Sequence, residues 1–498
     1  MGNAMTICKS LSPGFLPLLT SGLLLAGCAA TPPAPQVSLP AGYAGAASST
    51  GQAVAPADWW QVFHDPALDR LIARGLADNH DARLALTRVQ LARAGVTASG
   101  SRLLPTLAAT GSYSDQRSGL PPLYKNGEPD VQAGRLGAEL NWELDLFGAA
   151  RAARRAAKHD LLAAEAGVEG TRLLVSGEVA RQYYTLRGAG ERLTLLDGIL
   201  ETLRKTEALT RKREAAGLSS PLDVELASGE RANAEALRPQ LQTLVTATRA
   251  RLAVLLGVSP GQPLPELDDL PAASAWPDTG APATGQPADL LARRPDLRAA
   301  GEQLAAESER LREARASYLP KVFLSAVFGG QDLTINQIGL SPVRYSNVAA
   351  AFSAPLFSAG RIRAGVEAQG AREQQALIGY EKLILTAIEE VEVSLAAVAD
   401  ERHRGELLAD AARDRHRALT RGESLYRAGQ IDLLQLQTLQ RAALAADQTL
   451  VESRTQRALS TIRLHQALGG GWQQPAAPAA ESSATPAAPS ADPMSTPT

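Results

Sequence analysis

Residues 131–146 read VQAGRLGAELNWELDL, and they alternate with a period of two. Leu136, Ala138, Leu140, Trp142, Leu144 and Leu146 fall on one side, and Arg135, Gly137, Glu139, Asn141, Glu143 and Asp145 on the other. Successive side chains of a strand point to opposite faces, so this stretch predicts a β-strand with one apolar face. A second extended segment precedes it at about 106–115, and polar residues 116–130 join the two. The pattern returns far downstream. Val322, Leu324, Ala326 and Phe328 alternate, as do Val348, Ala350, Phe352, Ala354 and Leu356. They predict strands at about 319–330 and 344–357, joined by a Gly- and Pro-containing loop at 331–342.

Around the strands the period changes. No proline occurs from 148 to 216 or from 360 to 428, and a helix of that length extends roughly 100 Å at 1.5 Å per residue. Ile388, Val391, Leu395 and Val398 step by three and four, and Ser176, Val179, Tyr183 and Leu186 keep the same phase. Leu237, Leu241, Leu244, Thr248, Leu252 and Leu255 continue it in a return helix. Stripes this long indicate coiled-coil-like packing. Gly188 and Gly190 oppose it at about 1 kcal/mol each, and Pro239 is expected to bend its helix. Gly217 and Gly429 stand where helices should stop, and Pro221, Asp223 and Asp432 where they should restart.

The chain repeats itself. RLLP at 102–105 is echoed by SYLP at 317–320, Asn79-His80-Asp81 by Arg294-Pro295-Asp296, and Ala216-Gly217-Leu218 by Ala428-Gly429-Gln430. The offset stays between 210 and 215 residues, which describes a duplicated domain and not a solenoid. Each copy reads helix, helix, strand, strand, long helix, long helix. The first copy is placed at 58–257, a Pro-, Gly- and Ala-rich linker at 258–287, and the second copy at 288–468. A Pro-, Ala- and Ser-rich tail, 469–498, has the composition of a disordered segment.

At the front, Leu25-Ala26-Gly27-Cys28 closes an apolar run, 15–26, that is too short for an ordinary spanning helix. It reads as an export signal, 1–27. A small-residue site ending in Cys resembles a bacterial lipobox, which implies cleavage before Cys28 and a lipid on its sulfur. The alternative is an ordinary signal peptide with a chance Cys. Residues 28–57 then read as a flexible tether, and Trp59, Trp60 and Phe63 as residues that anchor the N-terminal segment by burial. Cys8 leaves with the signal, so no thiol remains for disulfide or redox chemistry. Lys and Arg number 50 against 52 Asp and Glu, which argues against a nucleic-acid partner.

Enzyme signatures are missing: the sequence has no phosphate-binding loop, GxSxG elbow or HExxH helix. The six His have no metal-ligand spacing, so no metal and no cofactor beyond the covalent lipid are expected. Glu389, Glu390 and Glu392 read as a solvated helix face.

Four strands cannot close a barrel, and open edges in lipid cost several kcal/mol for each unpaired group. Completion by other subunits is therefore expected, and three copies give twelve strands, an even number within the outer-membrane range. Leu136, Leu140, Trp142 and Leu144 are the lipid-facing candidates. The alternative keeps the sheet in water over a domain core, with Trp142 against protein.

Several segments, in this order and spacing, resemble the TolC/OprM family of outer-membrane efflux proteins, in its lipoprotein (NodT-type) branch. They are LAGC ending at Cys28, WWQVFHDPALDRL (59–71), WELDLFGAAR (142–151), APLFSAGRIRA (354–364) and YRAGQIDLLQLQ (426–437). The resemblance implies a mainly α protein with a β-barrel part: a homotrimer with a 12-stranded barrel over a long α-helical periplasmic tunnel. It implies a passive exit duct of a tripartite pump, partnered by a periplasmic adaptor and an inner-membrane transporter such as an RND pump, in contact with outer-membrane lipid. By motif match, Ala216, Gly217, Leu218, Ala428, Gly429 and Gln430 meet the adaptor. The same match makes Leu434 and Thr438 candidates for the pore constriction, and Leu222, Asp223 and Asp432 are added beside them; the alternative for Leu222 and Leu434 is simple packing between helices. Thr438 stands where the family has an acid, and Asp223 or Asp432 is the substitute charge. Two rival functions are a conduit for type I protein secretion and a non-conducting periplasmic coiled-coil scaffold.

Overall fold

The computed structural model describes residues 33–44, 58–117, 119–121, 123–124, 129–267, 276, 286–336 and 338–470. The signal segment, Cys28 and the tail beyond Gly470 lie outside the described residues.

Each half builds the same unit. In the first, α1 (Pro66–Asp78) and α2 (His80–Ser101) lead into β1 (Thr106–Gln116) and β2 (Val131–Leu144). The long helix α3 (Ala149–Ala215) comes next, and α4 (Pro221–Glu235) and α5 (Arg238–Leu255) return. In the second, α6 (Leu290–Arg293) and α7 (Pro295–Ala316) lead into β3 (Lys321–Ile335) and β4 (Ile338–Ser353). Then come the long α8 (Arg361–Arg427) and its return helix α9 (Leu433–Ala467). Local chemistry sets the boundaries. The Asp65 carboxylate accepts from the Ala67 and Leu68 N–H groups, and the Asn79 side chain from those of Asp81 and Ala82, so each caps its helix. Gly148 and Gly360 turn the chain from strand to long helix at φ 81° and 83°, a left-handed conformation that glycine adopts without Cβ strain.

The long helices hold 67 residues each, so each extends roughly 100 Å. Ser176, Val179, Tyr183 and Leu186 are all buried, as the stripe requires. Gly188 does not break α3, because α9 comes so close that a Cβ there would collide with Thr455. Pro239 departs from expectation. The return path breaks at Ala236–Leu237 and α5 begins with Pro239 in its first turn, where a missing N–H costs no helix bond.

The largest core lies beside the middle of α3. Trp59, Phe63, Leu68, Leu71 and Ile72 pack there on Val179, Tyr183, Tyr184, Leu252 and Ile462. At its centre, Asp65 Oδ2 accepts from the Tyr183 hydroxyl at 2.7 Å and from Arg187 at 3.2 Å. Arg187 also lies 5.2 Å from the Trp276 ring centre. Burial, reinforced by the Asp65 hydrogen bond, pushes the Tyr183 hydroxyl far above its ordinary pKa.

Two segments read as mere connections prove to be packed. Linker residues Leu264 and Leu267 belong to this core, and the Trp276 indole donates to Glu191 at 2.6 Å. Residues 33–44, read as part of a flexible tether, lie against α8. There Tyr43 is buried among Leu290, Leu297, Ala387 and Val391, and the N–H groups of Gln36 and Ala44 donate to Glu381 and Glu392. The acidic run on α8 is thus not simply a solvated face: Glu392 holds this strap, and Glu390 accepts from Arg294 at 2.7 Å.

Candidate functional site

Two regions carry the candidate residues. The first is an antiparallel sheet in the order β1-β2-β3-β4. Leu107, Leu140, Ala326 and Val348 form one rung across it. Trp142, Leu324 and Ala350 form the next rung on the same face, then Leu144, Val322 and Phe352. The opposite face carries Thr106, Ser112, Arg135, Glu139, Asn141, Glu143, Lys321 and Gln331, with Lys321 paired to Glu143 at 2.8 Å and Arg135 donating to Gln331 at 3.1 Å. The apolar face has little over it within one chain: Leu107 is 72% exposed, Leu136 73%, Val348 76% and Phe352 79%. Leu140, Trp142 and Leu144 are half-buried by their neighbours, and the Trp142 indole donates to the Leu103 carbonyl at 3.1 Å.

The strands have 11, 14, 15 and 16 residues, and about 9–11 cross a bilayer. The hairpin between β3 and β4 corrects the expected strand limits. In place of a loop at 331–342, strand pairing continues to Ile335↔Ile338. Asn336 makes this possible. It takes a left-handed conformation, and its side chain and N–H bond to the Asp130 backbone. Pro342 is tolerated because it sits beside the irregularity at Gln331/Leu333, on a strand with an open side. At the other end β2 stops at Leu144, before the expected Leu146. Burial works to raise the nearby Asp145 carboxyl, but bonds from Arg151 and Ala150 outweigh it and hold that group below the ordinary carboxylate range.

The second region is the pair of helix tips. After α3, Gly217 has φ 71°, with Gly217 N–H on the Glu214 carbonyl and Leu218 N–H on that of Arg213. After α8, Gly429 has φ 74°, with the same two bonds to Tyr426 and Leu425. Both are left-handed C-caps, and only glycine holds that conformation cheaply. Each turn then restarts through a reciprocal capping box, Ser220 with Asp223 and Asp432 with Gln435. Ser220 and Asp432 are repeat equivalents, so the two acids fill different positions of the same box. The Ser220 N–H lowers the Asp223 pKa, with further help from Ser219. As substitute gate charges, Asp223 and Asp432 are therefore already engaged in their own turns.

Leu222 and Leu434 occupy equivalent positions and are 60% and 59% exposed, so neither packs inside one chain. Ala216, Leu218, Ala428 and Gln430 are exposed at the turns. Thr438 is exposed, and its hydroxyl donates to the Leu434 carbonyl. Sequence reading missed what joins the tips. The Tyr426 hydroxyl meets Thr210 at 3.1 Å, Arg213 donates to the Tyr426 carbonyl at 3.0 Å, and the guanidinium lies 5.0 Å from the Tyr426 ring centre. The Ser-x-x-Asp spacing of the first box was legible; the Tyr426 contacts join residues more than two hundred positions apart and left no local signal.

The outer membrane efflux protein family model matches twice, over residues 71–258 and 287–470. The chain belongs to this family. The two matches coincide with the two structural units. Among relatives, the pyoverdine export outer membrane protein OpmQ of Pseudomonas aeruginosa is 32% identical, over 92% of this chain and 97% of its own length. The outer membrane protein OprJ of the same species is 30% identical, over 92% and 95%. Of solved structures, the outer-membrane channel OprN superposes with a TM-score of 0.80 at 29% identity, covering 90% of this chain and 99% of that one. The Neisseria gonorrhoeae MtrE outer-membrane channel, solved in its open state, gives 0.77 at 25% identity, covering 89% and 98%. The protein is an outer-membrane efflux channel.

Proposed function

We propose that three copies of this chain join their sheets edge to edge into a twelve-stranded barrel, with the long helices continuing below as a tunnel through the periplasm. The observation that carries this is a four-stranded sheet whose β1 and β4 each pair on one side only among the described residues. Leu107, Leu136, Val348 and Phe352 lie bare on one face. Lipid covers that face, the polar face lines a water-filled duct, and the neighbours' strands satisfy the edges.

The duct carries small molecules passively. An inner-membrane transporter of the RND type or a relative supplies the energy, and a periplasmic adaptor joins it at Ala216–Leu218 and Ala428–Gln430. The functions for which relatives are named, which include pyoverdine export and toluene efflux, favour small cargo. Leu222 and Leu434, one from each repeat, narrow the tips at rest. Six copies in a trimer form an apolar constriction, and the adaptor relieves it by separating the turns. Cys28 carries the lipid that tethers residues 33–44 and the strap they form on α8.

Cargo accumulation in a strain lacking the channel tests this reading. The intact chain should restore efflux, and Gly429→Trp, which places bulk on the adaptor surface, should abolish it while leaving trimers in the membrane. Undiminished efflux with Gly429→Trp and Gly217→Trp combined would remove the tips from the adaptor contact. Cys28→Ser should lose incorporation of labelled palmitate; unchanged labelling would refute the lipid assignment.

A further inference from the structure

Thr110, Gly137, Gly329 and Tyr345 form one rung on the polar face of the sheet. Two glycines side by side in strand interiors cost backbone entropy and leave nothing to pack. Neither has a positive φ, so no turn demands them. Tyr345 does. A Cβ on Gly329 would stand 2.6 Å from Tyr345 Oη and 2.7 Å from its Cζ, and one on Gly137 would stand 2.8 Å from Oη. The ring therefore leaves β4 and lies over β3, and its hydroxyl reaches toward Gly137 on β2. The strands also approach closely here, since the same two Cβ atoms would lie 2.6 Å from the Leu136 and Phe328 carbonyl oxygens. Tyr345 is half-buried, while Arg344, Ser346 and Asn347 beside it are exposed.

The location gives the contact a purpose. Among the described residues β4 pairs only with β3, and the ladder between them has an irregularity at Gln331/Leu333, close to this rung. A strand held by one ladder slips readily, and a slip of one residue exchanges its faces. We propose that Tyr345 is a tenon: seated in the notch of Gly329 and Gly137, it pins β4 across β3 to β2 and presents the free side of β4, in register, to a neighbouring copy of this chain. The inference rests on the trimeric reading above.

The test uses the full chain, extracted from membranes in detergent, as wild type, Tyr345→Ala, Tyr345→Phe and Gly329→Ala. Light scattering after gel filtration reads the trimer fraction, and far-ultraviolet circular dichroism reads the helical body. Wild type and Tyr345→Phe should be trimeric, because the ring out to Cζ still covers Gly329 when the hydroxyl is removed. Tyr345→Ala and Gly329→Ala should lose trimer while keeping the helical signal. Tyr345→Ala trimers with wild-type yield and thermal midpoint would overturn the inference. So would Tyr345→Phe failing alongside Tyr345→Ala, or loss of the helical signal in Tyr345→Ala. A wild type that is itself monomeric would instead sink the trimeric reading, and the tenon with it.

Discussion

The body around α3 and the sheet handle the same physical problem in opposite ways. In the body, Trp59, Tyr183, Tyr184 and Leu252 are fully buried, and even a charged group, Arg187, has Asp65 and aromatic faces around it. In the sheet, Leu107, Val348 and Phe352 are largely exposed, and two strand edges are open among the described residues. The body buries its large apolar side chains within one chain. The sheet needs lipid on one face and other copies at its edges.

The largest expected effect falls on the sheet. An Arg facing mid-bilayer costs about 2–4 kcal/mol, and a trimer bears that cost at three sites. Leu140→Arg should therefore abolish stable insertion, read as loss of outer-membrane trimer. Asn141→Arg, one residue on but on the polar face, should insert at near-normal yield. Equal behaviour of the two would erase the distinction between faces.

Next comes the body. Arg187→Ala leaves Asp65 buried beside it without that partner, at a cost of about 3–5 kcal/mol. Thermal unfolding followed by circular dichroism should show a clearly lowered midpoint, and an unchanged one would mean the network contributes little. Gly217→Ala and Gly429→Ala force an L-residue into the left-handed region, at about 1–2 kcal/mol each. Because the tips lie far from both body and sheet, that loss should appear as local proteolytic sensitivity with little change in the global midpoint.

The smallest effect at neutral pH belongs to His465. It is buried, stacks 5.5 Å from Trp59, and neither ring nitrogen has a hydrogen-bond partner among the described residues. Burial lowers its pKa to about 4, against about 6.5 unfolded. Between those values the unfolded chain binds the extra proton, so this contribution is full above about 6.5 and is lost as pH falls through 4. His465→Phe should leave the midpoint at pH 7 nearly unchanged and blunt its fall in acid. An equally steep fall in the variant would assign the acid sensitivity elsewhere.

The sequence showed these two regions unequally. The period-two run at 131–146 and the stripe through Val179 and Tyr183 carry their geometry in local spacing, and both appear as spaced, except that the strand ends two residues early at Leu144. The hairpin at Asn336 was missed because the stretch 331–342, with Gly339 and Pro342, reads as a loop, whereas pairing runs on to Ile335↔Ile338 and the register irregularity accommodates Pro342 within the sheet. The strap at 33–44 was read as a tether because its composition is that of a linker; its partners, Glu381 and Glu392, lie some 345 residues away. At the tips the glycines announced the caps, but no local pattern links Tyr426 to Thr210 and Arg213.

The count of chains per detergent-solubilised particle, taken by native mass spectrometry, bears most directly on whether one chain supplies only part of the wall. Three chains per particle, held together until the strand edges are disrupted, is the predicted result. A lone chain that stays folded with its β-sheet shielded from solvent by its own residues would contradict it.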